Sequence, residues 1–161
     1  MAVGRHVGIG QFAVARAPDY LTVLGLGSCI GLFVWSDRWQ VGGLAHILLP
    51  SGPYSQDHMP CRYADTAVDV LLEALRQAVG SAPGVRWQAK LIGGATMFHH
   101  ITHPALRSIS QRTAEAVRAG LRRYHVRVVA EDLGGFHGRS VWAYPATGAV
   151  RVRTHRGEYW L

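Results

Sequence analysis

The sequence predicts an α+β fold in one domain spanning residues 1–161, with two main helices packed on a mostly antiparallel or mixed β-sheet. Two segments have the apolar spacing of amphipathic helices, and short apolar segments typical of strands outnumber them. The order is strands, helix, strand, helix, strands, which differs from the regular alternation of parallel α/β folds. No repeat, low-complexity tract or long linker divides the chain.

Short apolar runs separated by polar or Pro- and Gly-rich residues predict strands and turns in the first third of the chain. Residues 30–35 (IGLFVW) are typical of a buried strand. Residues 36–39 predict a turn into a returning strand. The predicted segments here are strands over residues 7–16, 21–24, 30–35 and 41–49, followed by a loop over residues 50–60.

Two amphipathic helices are predicted in the rest of the chain. Along residues 63–79, apolar side chains recur at steps of three and four, so they share one face. Residues 80–84 (GSAPG) end this helix, and a second is predicted over about residues 108–124. The remaining predicted strands are residues 85–92, 126–130, 140–144 and 149–154, with a hairpin-like turn at 145–148.

Composition and charge limit the classes of function. The chain is 48% hydrophobic and 17% charged, which is enough apolar material for a core. It has no apolar stretch near the roughly 20 residues of a membrane-spanning helix and no apolar secretory signal, so we expect a cytoplasmic protein without membrane insertion. The net charge of +7 favours acidic partners. Without a recognisable motif or interleaved aromatic residues, it does not predict a nucleic-acid partner.

The strongest chemical signal surrounds Cys29. Residues 24–31 (LGLGSCIG) place this thiol at a glycine-flanked bend between two apolar segments. Glycines allow a substrate to approach closely and leave backbone N–H groups unobstructed, as an oxyanion site requires. We therefore expect substrate to bind at Gly27 and Ser28. The alternative for either cysteine, and the expected state of Cys61, is a reduced thiol buried as a small hydrophobic side chain.

His46 is the predicted base for this thiol. It lies in residues 41–49, on a strand predicted to pair with the one that follows Cys29. A free thiol has a pKa of about 8.5 and is mostly protonated at neutral pH, so an adjacent imidazole can generate the thiolate. The spacing alone also allows His46 to be a hydrogen-bonded core histidine without a catalytic role.

Several blocks, in a fixed order between residue 7 and about residue 144, resemble one known family. They are residues 7–14, 24–29, 43–50 (GLAHILLP), 63–67, 90–98, 130–135 and 138–141. Together they resemble the chemoreceptor glutamine deamidase family, CheD. The resemblance implies an α/β sandwich of the kind shared with certain toxin deamidases.

The resemblance also implies an activity and partners. The expected enzyme is an amidohydrolase that converts glutamines on the cytoplasmic domain of a chemotaxis receptor to glutamate, with Cys29 as nucleophile and His46 as base. No metal or organic cofactor is expected, and a CheC-type phosphatase is a further expected partner. The alternative is an adaptor or regulatory module that docks receptor or phosphatase with weak or no catalysis.

One position departs from the family pattern. The family commonly has a threonine six residues before the cysteine as the third catalytic member, whereas this chain has Val23 there and Thr22 one residue earlier. Neighbouring strand residues point to opposite faces, so Thr22 cannot replace the threonine without a bulge or register shift. The resemblance to toxin deamidases implies a backbone carbonyl as the orienting group for the imidazole, expected here at Val23, and the alternative is reduced activity. Thr22 is the less favoured third member.

Two partial ligand sets do not predict a metal site. His99 and His103 would share a helical face, but they lack the glutamate of a zinc-protease motif and Pro104 follows at once. His58 and Cys61 form another incomplete set. Exposed loops are the better interpretation of both segments.

Overall fold

The computed structural model describes residues 1–53, 58–80, 82–97 and 104–161. In these ranges the chain forms ten strands and two helices, and neither helix is long and apolar enough to cross a membrane. The elements in chain order are β1 (Gly4–His6), β2 (Phe12–Arg16), β3 (Tyr20–Leu26), β4 (Ile30–Ser36), β5 (Val41–Ile47), α1 (Ala64–Val79), β6 (Gln88–Gly93), α2 (Pro104–Arg123), β7 (Arg127–Leu133), β8 (Arg139–Ala143), β9 (Val150–Thr154) and β10 (Gly157–Trp160).

The described strands form two mixed sheets. The first sheet has the strand order β1-β3-β8-β9-β10, and the second has the order β2-β5-β4-β6-β7. Strands β1 and β3 are parallel, as are β6 and β7, while the other neighbouring pairs are antiparallel. Strands β4 and β5 form a hairpin in which Gly31 lies opposite His46.

The second sheet lies between the helices and the first sheet. On β4, Ile30 and Leu32 point toward the helices and share a core with Leu71 of α1. The alternate residue Phe33 points toward the first sheet and shares a second core with Val141 of β8. Because successive strand residues point to opposite faces, an uninterrupted apolar run such as β4 is what burial on both faces requires.

The α+β class and both helices are confirmed. The predicted helix over residues 63–79 is Ala64–Val79, and the one over about 108–124 corresponds to Pro104–Arg123. The single strand predicted over residues 7–16 is wrong, because β1 ends at His6 and β2 begins only at Phe12. Between them the chain turns at Gly10, whose φ of 75° favours glycine.

The structure differs from the predicted strands at two further places. Strand β7 continues past the predicted end at residue 130, because Glu131 and Asp132 pair with Leu91 and Ile92 of β6. Strand β10 was not predicted. It is a short edge strand with every residue exposed, so its sequence has no apolar alternation to signal it.

Replacing Leu71 with alanine tests the helix-facing core. Leu71 is fully buried, so Leu71→Ala should lower the free energy of unfolding by about 2–5 kcal/mol through lost burial and a residual cavity. Urea unfolding followed by circular dichroism measures this change. Glu73→Ala, on the exposed face of the same helix, is the matched control and should shift stability by no more than about 0.5 kcal/mol. Equal effects of the two substitutions would contradict the assigned packing.

Candidate active site

Cys29 lies on a bend between β3 and β4 whose carbonyl groups are held from one side. The bend consists of residues 27–29. Three successive carbonyl oxygens accept hydrogen bonds from segments behind it: Gly27 O from Ala95 N–H at 3.0 Å, Ser28 O from the Ser110 hydroxyl at 3.0 Å, and Cys29 O from Gly94 N–H at 2.9 Å. These bonds fix the conformation of the bend through its backbone.

The same bonds determine the direction of two backbone N–H groups. In a trans peptide the C=O and the following N–H point in opposite directions. Because the carbonyls of Gly27 and Ser28 point toward Ala95 and Ser110, the N–H groups of Ser28 and Cys29 point away from those residues. The bend thus presents two adjacent backbone donors on its other side.

The close contact between this bend and the end of β6 requires glycine. Gly93 has a φ of 116°, which side-chain-bearing residues rarely adopt. A Cβ at Gly93 would lie 2.3 Å from the Cys29 carbonyl oxygen, far inside van der Waals contact. Any larger residue would therefore displace the segment that holds Cys29.

The structure brings His46 to the same side of the second sheet as Cys29. His46 lies opposite Gly31, and Cys29 is two residues before Gly31, so the two side chains are diagonal neighbours across a position without a side chain. Diagonal cross-strand neighbours lie roughly 7–8 Å apart at the backbone, within reach of long side chains. Cys29 is 7% exposed and His46 is 5% exposed.

A pocket of about 510 Å³ contains both side chains. The predicted substrate-binding residues Gly27 and Ser28 also line it. Three side chains at its edge are apolar and exposed, and we call them the apolar rim. The apolar rim consists of Ile9 (50% exposed), Leu24 (59%) and Met97 (44%).

The N-terminal segment over residues 7–11 holds His46 in place. The Nδ1 of His46 lies 3.4 Å from the backbone oxygen of Val7. Gly10 N–H donates to His46 O at 2.8 Å, and His46 N–H donates to Gln11 O at 3.0 Å. If Nδ1 carries the proton and donates to Val7 O, Nε2 remains free to act as a base.

Val23 and Thr22 are not among the residues that line the pocket. Val23 is fully buried in the core between the sheets, opposite Val141. Thr22 points to the other face of β3, and the irregularity in pairing with β8 begins only after Val23, so it does not turn Thr22 toward His46. Thr22 instead accepts a hydrogen bond from Val7 N–H at its backbone oxygen, at 2.8 Å.

Sequence reasoning assigned no role to several residues of this site. His6, Val7 and Ile9 come from the segment at residues 7–14 or just before it, and Met97 comes from the segment after β6. The family-like block over residues 7–14 was the available signal, but nothing local in it indicates contact with His46.

Burial shifts both titrating groups toward their neutral forms. Desolvation raises the pKa of the Cys29 thiol above its ordinary value. Desolvation also lowers the pKa of His46 below its ordinary 6.5; the Val7 hydrogen bond opposes this shift and the positive charge of His6 adds to it. Both shifts favour the protonated thiol of Cys29 and the neutral imidazole of His46 at neutral pH.

Metal ligation has no support in the part of the chain that the structure describes. Among the described residues, no group of three or more His, Cys, Asp or Glu side chains is arranged to hold a metal ion. The exposed loop predicted for the segment with His58 and Cys61 is wrong at Cys61, which is fully buried. Burial raises the pKa of Cys61 to about 12, so it stays a protonated thiol. His99 and His103 lie outside the described residues.

Comparison with known proteins finds one family. Its sequence model, described as "CheD chemotactic sensory transduction", matches residues 48–154. The protein named "Probable chemoreceptor glutamine deamidase CheD" from Archaeoglobus fulgidus is 42% identical over 156 residues, 96% of this chain and 96% of its own. "Chemoreceptor glutamine deamidase CheD" from Halalkalibacterium halodurans is 39% identical over 155 residues, 94% of each chain.

One solved structure has a weaker likeness. The C-terminal domain of CNFy from Yersinia pseudotuberculosis aligns with 99% of this chain and 60% of its own, with a TM-score of 0.38 and 8% sequence identity. That likeness is too low to support an argument about the site.

Thiol labelling tests the different environments of the two cysteines. Iodoacetamide should alkylate Cys29, which lines a pocket, and leave Cys61 unmodified in the folded protein. The Cys29 rate should still be rising with pH at 9.0, because burial raises its pKa above that value. Peptide mass spectrometry after timed labelling measures both rates. Labelling of Cys61 as fast as Cys29 would contradict the described pocket.

Proposed function

The chain belongs to the CheD family, and we therefore propose that it is a protein-glutamine deamidase that converts glutamine side chains of chemotaxis receptors to glutamate. Its relatives are named chemoreceptor glutamine deamidases, which supplies the reaction and the class of substrate. The observation that carries the proposal is the pocket shared by a buried thiol and a buried imidazole, Cys29 and His46. We also propose that residues 1–161 form one deamidase domain.

In the first half of the reaction Cys29 forms a thioester. Nε2 of His46 takes the thiol proton while the sulfur attacks the carboxamide carbon, and the carbonyl electrons move to the oxygen. The backbone N–H groups of Ser28 and Cys29 are the proposed donors to that oxyanion, because their bound carbonyls make them point away from the supporting segments. The imidazolium then protonates the amide nitrogen, the C–N bond breaks and ammonia leaves.

In the second half water releases the product. His46, again neutral, removes a proton from a water molecule as its oxygen attacks the thioester carbon. The C–S bond breaks, the sulfur leaves with its electron pair and regains a proton from His46, and a glutamate side chain remains. One water is consumed and one ammonia is released for each glutamine, and no step needs a metal or organic cofactor.

The backbone oxygen of Val7 is the proposed orienting group for the imidazole. It lies 3.4 Å from His46 Nδ1, whereas no hydrogen bond among the described residues joins His46 to Val23 or Thr22. Thr22 has an indirect part, because its carbonyl accepts the N–H of Val7. A backbone carbonyl requires no particular side chain, so this role is compatible with valine at the family's threonine position.

The apolar rim supports a protein substrate over free glutamine. Ile9, Leu24 and Met97 leave large apolar surfaces exposed beside the pocket. Exposed apolar surface of this kind is typical of sites that bind another protein. Free glutamine would instead place an ammonium and a carboxylate beside these side chains.

The second candidate function is an adaptor or regulatory module that docks a receptor or a CheC-type phosphatase. The observation that favours it is the buried, hydroxyl-free side chain of Val23 at the position of the family's catalytic threonine. A binding surface could persist with weak or no catalysis.

Incubation with a receptor cytoplasmic fragment tests the deamidase. Mass spectrometry should find specific glutamines converted to glutamate by the native protein and unconverted by Cys29→Ala, because only the first has the nucleophile. Cys61→Ala is the matched control and should retain activity, since Cys61 lies away from the pocket. Conversion by Cys29→Ala would refute the assigned nucleophile. No conversion by the native protein, together with capture of the fragment, would favour the adaptor.

The pH dependence of kcat/KM tests the role of His46. Because burial lowers the pKa of His46, activity should persist as pH falls through 6.5 and be lost only below it, when the imidazole protonates. The electrostatic effect of His6 adds to that lowering, so His6→Ala should raise the pKa of His46 and move the acid limb to higher pH. His137→Ala, outside the pocket, is the control. An acid limb that His6→Ala leaves in place would contradict this electrostatic coupling.

A further inference from the structure

Arg139, at the start of β8, contacts both ends of the bend that carries Cys29. Its backbone pairs with Leu26, the last residue before the bend. Its side chain extends to the second sheet, where Nη1 donates to the backbone oxygen of Gly93 at 3.3 Å. Gly93 immediately precedes Gly94, whose N–H donates to the Cys29 carbonyl at 2.9 Å. One arginine therefore contacts the start of the bend and the peptide that holds its end.

A single peptide plane connects the Arg139 guanidinium to the backbone of Cys29. The carbonyl of Gly93 and the N–H of Gly94 belong to the same trans peptide and point in opposite directions. Gly134 N–H donates to the Gly93 oxygen at 2.9 Å, so this oxygen already has one partner without Arg139. The second donor adds a constraint on the orientation of the plane, and hence on the Gly94 N–H that reaches Cys29.

The guanidinium itself is held by Asp132 of β7. Nε and Nη2 of Arg139 donate to the two carboxylate oxygens, each at 3.2 Å, and the Tyr159 hydroxyl donates to the same carboxylate. A two-point pair of this kind fixes the plane of the guanidinium as well as its distance. The Arg139 side chain is 9% exposed, and a buried cation is tolerated only when its donors are paired.

This network joins the two sheets beside the catalytic pocket. Arg139 and Tyr159 belong to the first sheet, whereas Asp132 and Gly93 belong to the second. Of the ion pairs between described residues, this is the only one that connects the sheets; the others join helices to each other, a helix to β7, or β9 to β10.

We propose that Arg139 is a positioning residue for the deamidation, with Asp132 and Tyr159 holding its guanidinium. Through the Gly93–Gly94 peptide and the Ala95 N–H that follows it, Arg139 sets the positions of the Cys29 and Gly27 carbonyls, and through the Gly27 carbonyl the direction of the Ser28 N–H. Arg139 does not line the pocket, so it acts on the reaction without touching substrate. The inference rests on the proposed function and adds to it a residue that determines the rate of the chemical step.

Steady-state kinetics of Arg139→Lys on the receptor fragment tests this role. Lysine keeps the charge but cannot make the two-point pair with Asp132 and also reach Gly93. Since a misplacement of about 1 Å can cost roughly a hundredfold in rate, kcat should fall by about tenfold to a hundredfold. KM should stay within about twofold, because Arg139 does not contact the apolar rim that is proposed to bind the protein substrate.

Alkylation of Cys29 by iodoacetamide separates positioning from loss of structure. This displacement at a methylene carbon forms no oxyanion, so its rate in Arg139→Lys should stay near that of the native protein while kcat falls. Arg118→Gln is the matched control. It breaks the neighbouring arginine–carboxylate pair on β7, between Arg118 and Glu131, without contact to Gly93, and kcat should be unchanged.

Two results would overturn the inference. The first is a folded Arg139→Lys protein with native kcat, whether or not its melting temperature falls. The second is a fall of kcat and alkylation rate in proportion to a loss of folded protein measured by circular dichroism, which indicates loss of structure. If Arg139→Lys does not fold, the kinetics of Tyr159→Phe are measured instead. A lower kcat at constant KM supports the inference, and a native kcat overturns it. Absence of deamidation by the native protein would be seen separately and would remove the proposed function together with the inference.

Discussion

Burial of β4 on both faces is the constraint on which the rest of the structure depends. All seven residues of this strand are buried, with alternate side chains packed against the helices and against the first sheet. Residues 30–35 of the strand must therefore be apolar, and the start of the strand places Cys29 at the edge of this core. Because Cys29 precedes the first strand residue, Ile30, it lies at the boundary between the core and the pocket.

Burial also determines the chemistry of the resting site. The same desolvation favours the neutral thiol of Cys29 and the neutral imidazole of His46, so neither group is charged before substrate arrives. Desolvation acts more strongly on Cys61, which is fully buried and does not line the pocket, and raises its pKa to about 12. Cys29 lines a pocket that also contains the imidazole of His46, whereas Cys61 does not, and this difference distinguishes the two cysteines.

Backbone hydrogen bonds position the candidate site more than side-chain contacts do. The Cys29 bend is held at three carbonyls, and the His46 backbone is bonded on both sides to residues 10 and 11. A site built in this way needs particular side chains only where the backbone must approach closely, as at Gly93. This explains how valine can stand at the position where the family has threonine without leaving His46 Nδ1 unpartnered.

The sequence by itself determined the α+β class, both helices and the central strands, because the local periodicity of apolar residues predicts each of them. It also indicated Cys29 and His46, through a glycine-flanked thiol and a hairpin that returns a histidine toward it. Only the tertiary structure divided the strands into two sheets, placed β10 at an edge, and brought Val7 to His46 and Arg139 to Gly93. These contacts join segments far apart in the chain, and the partner of a backbone carbonyl depends on how the sheets stack. Local sequence pattern carries no information about that stacking.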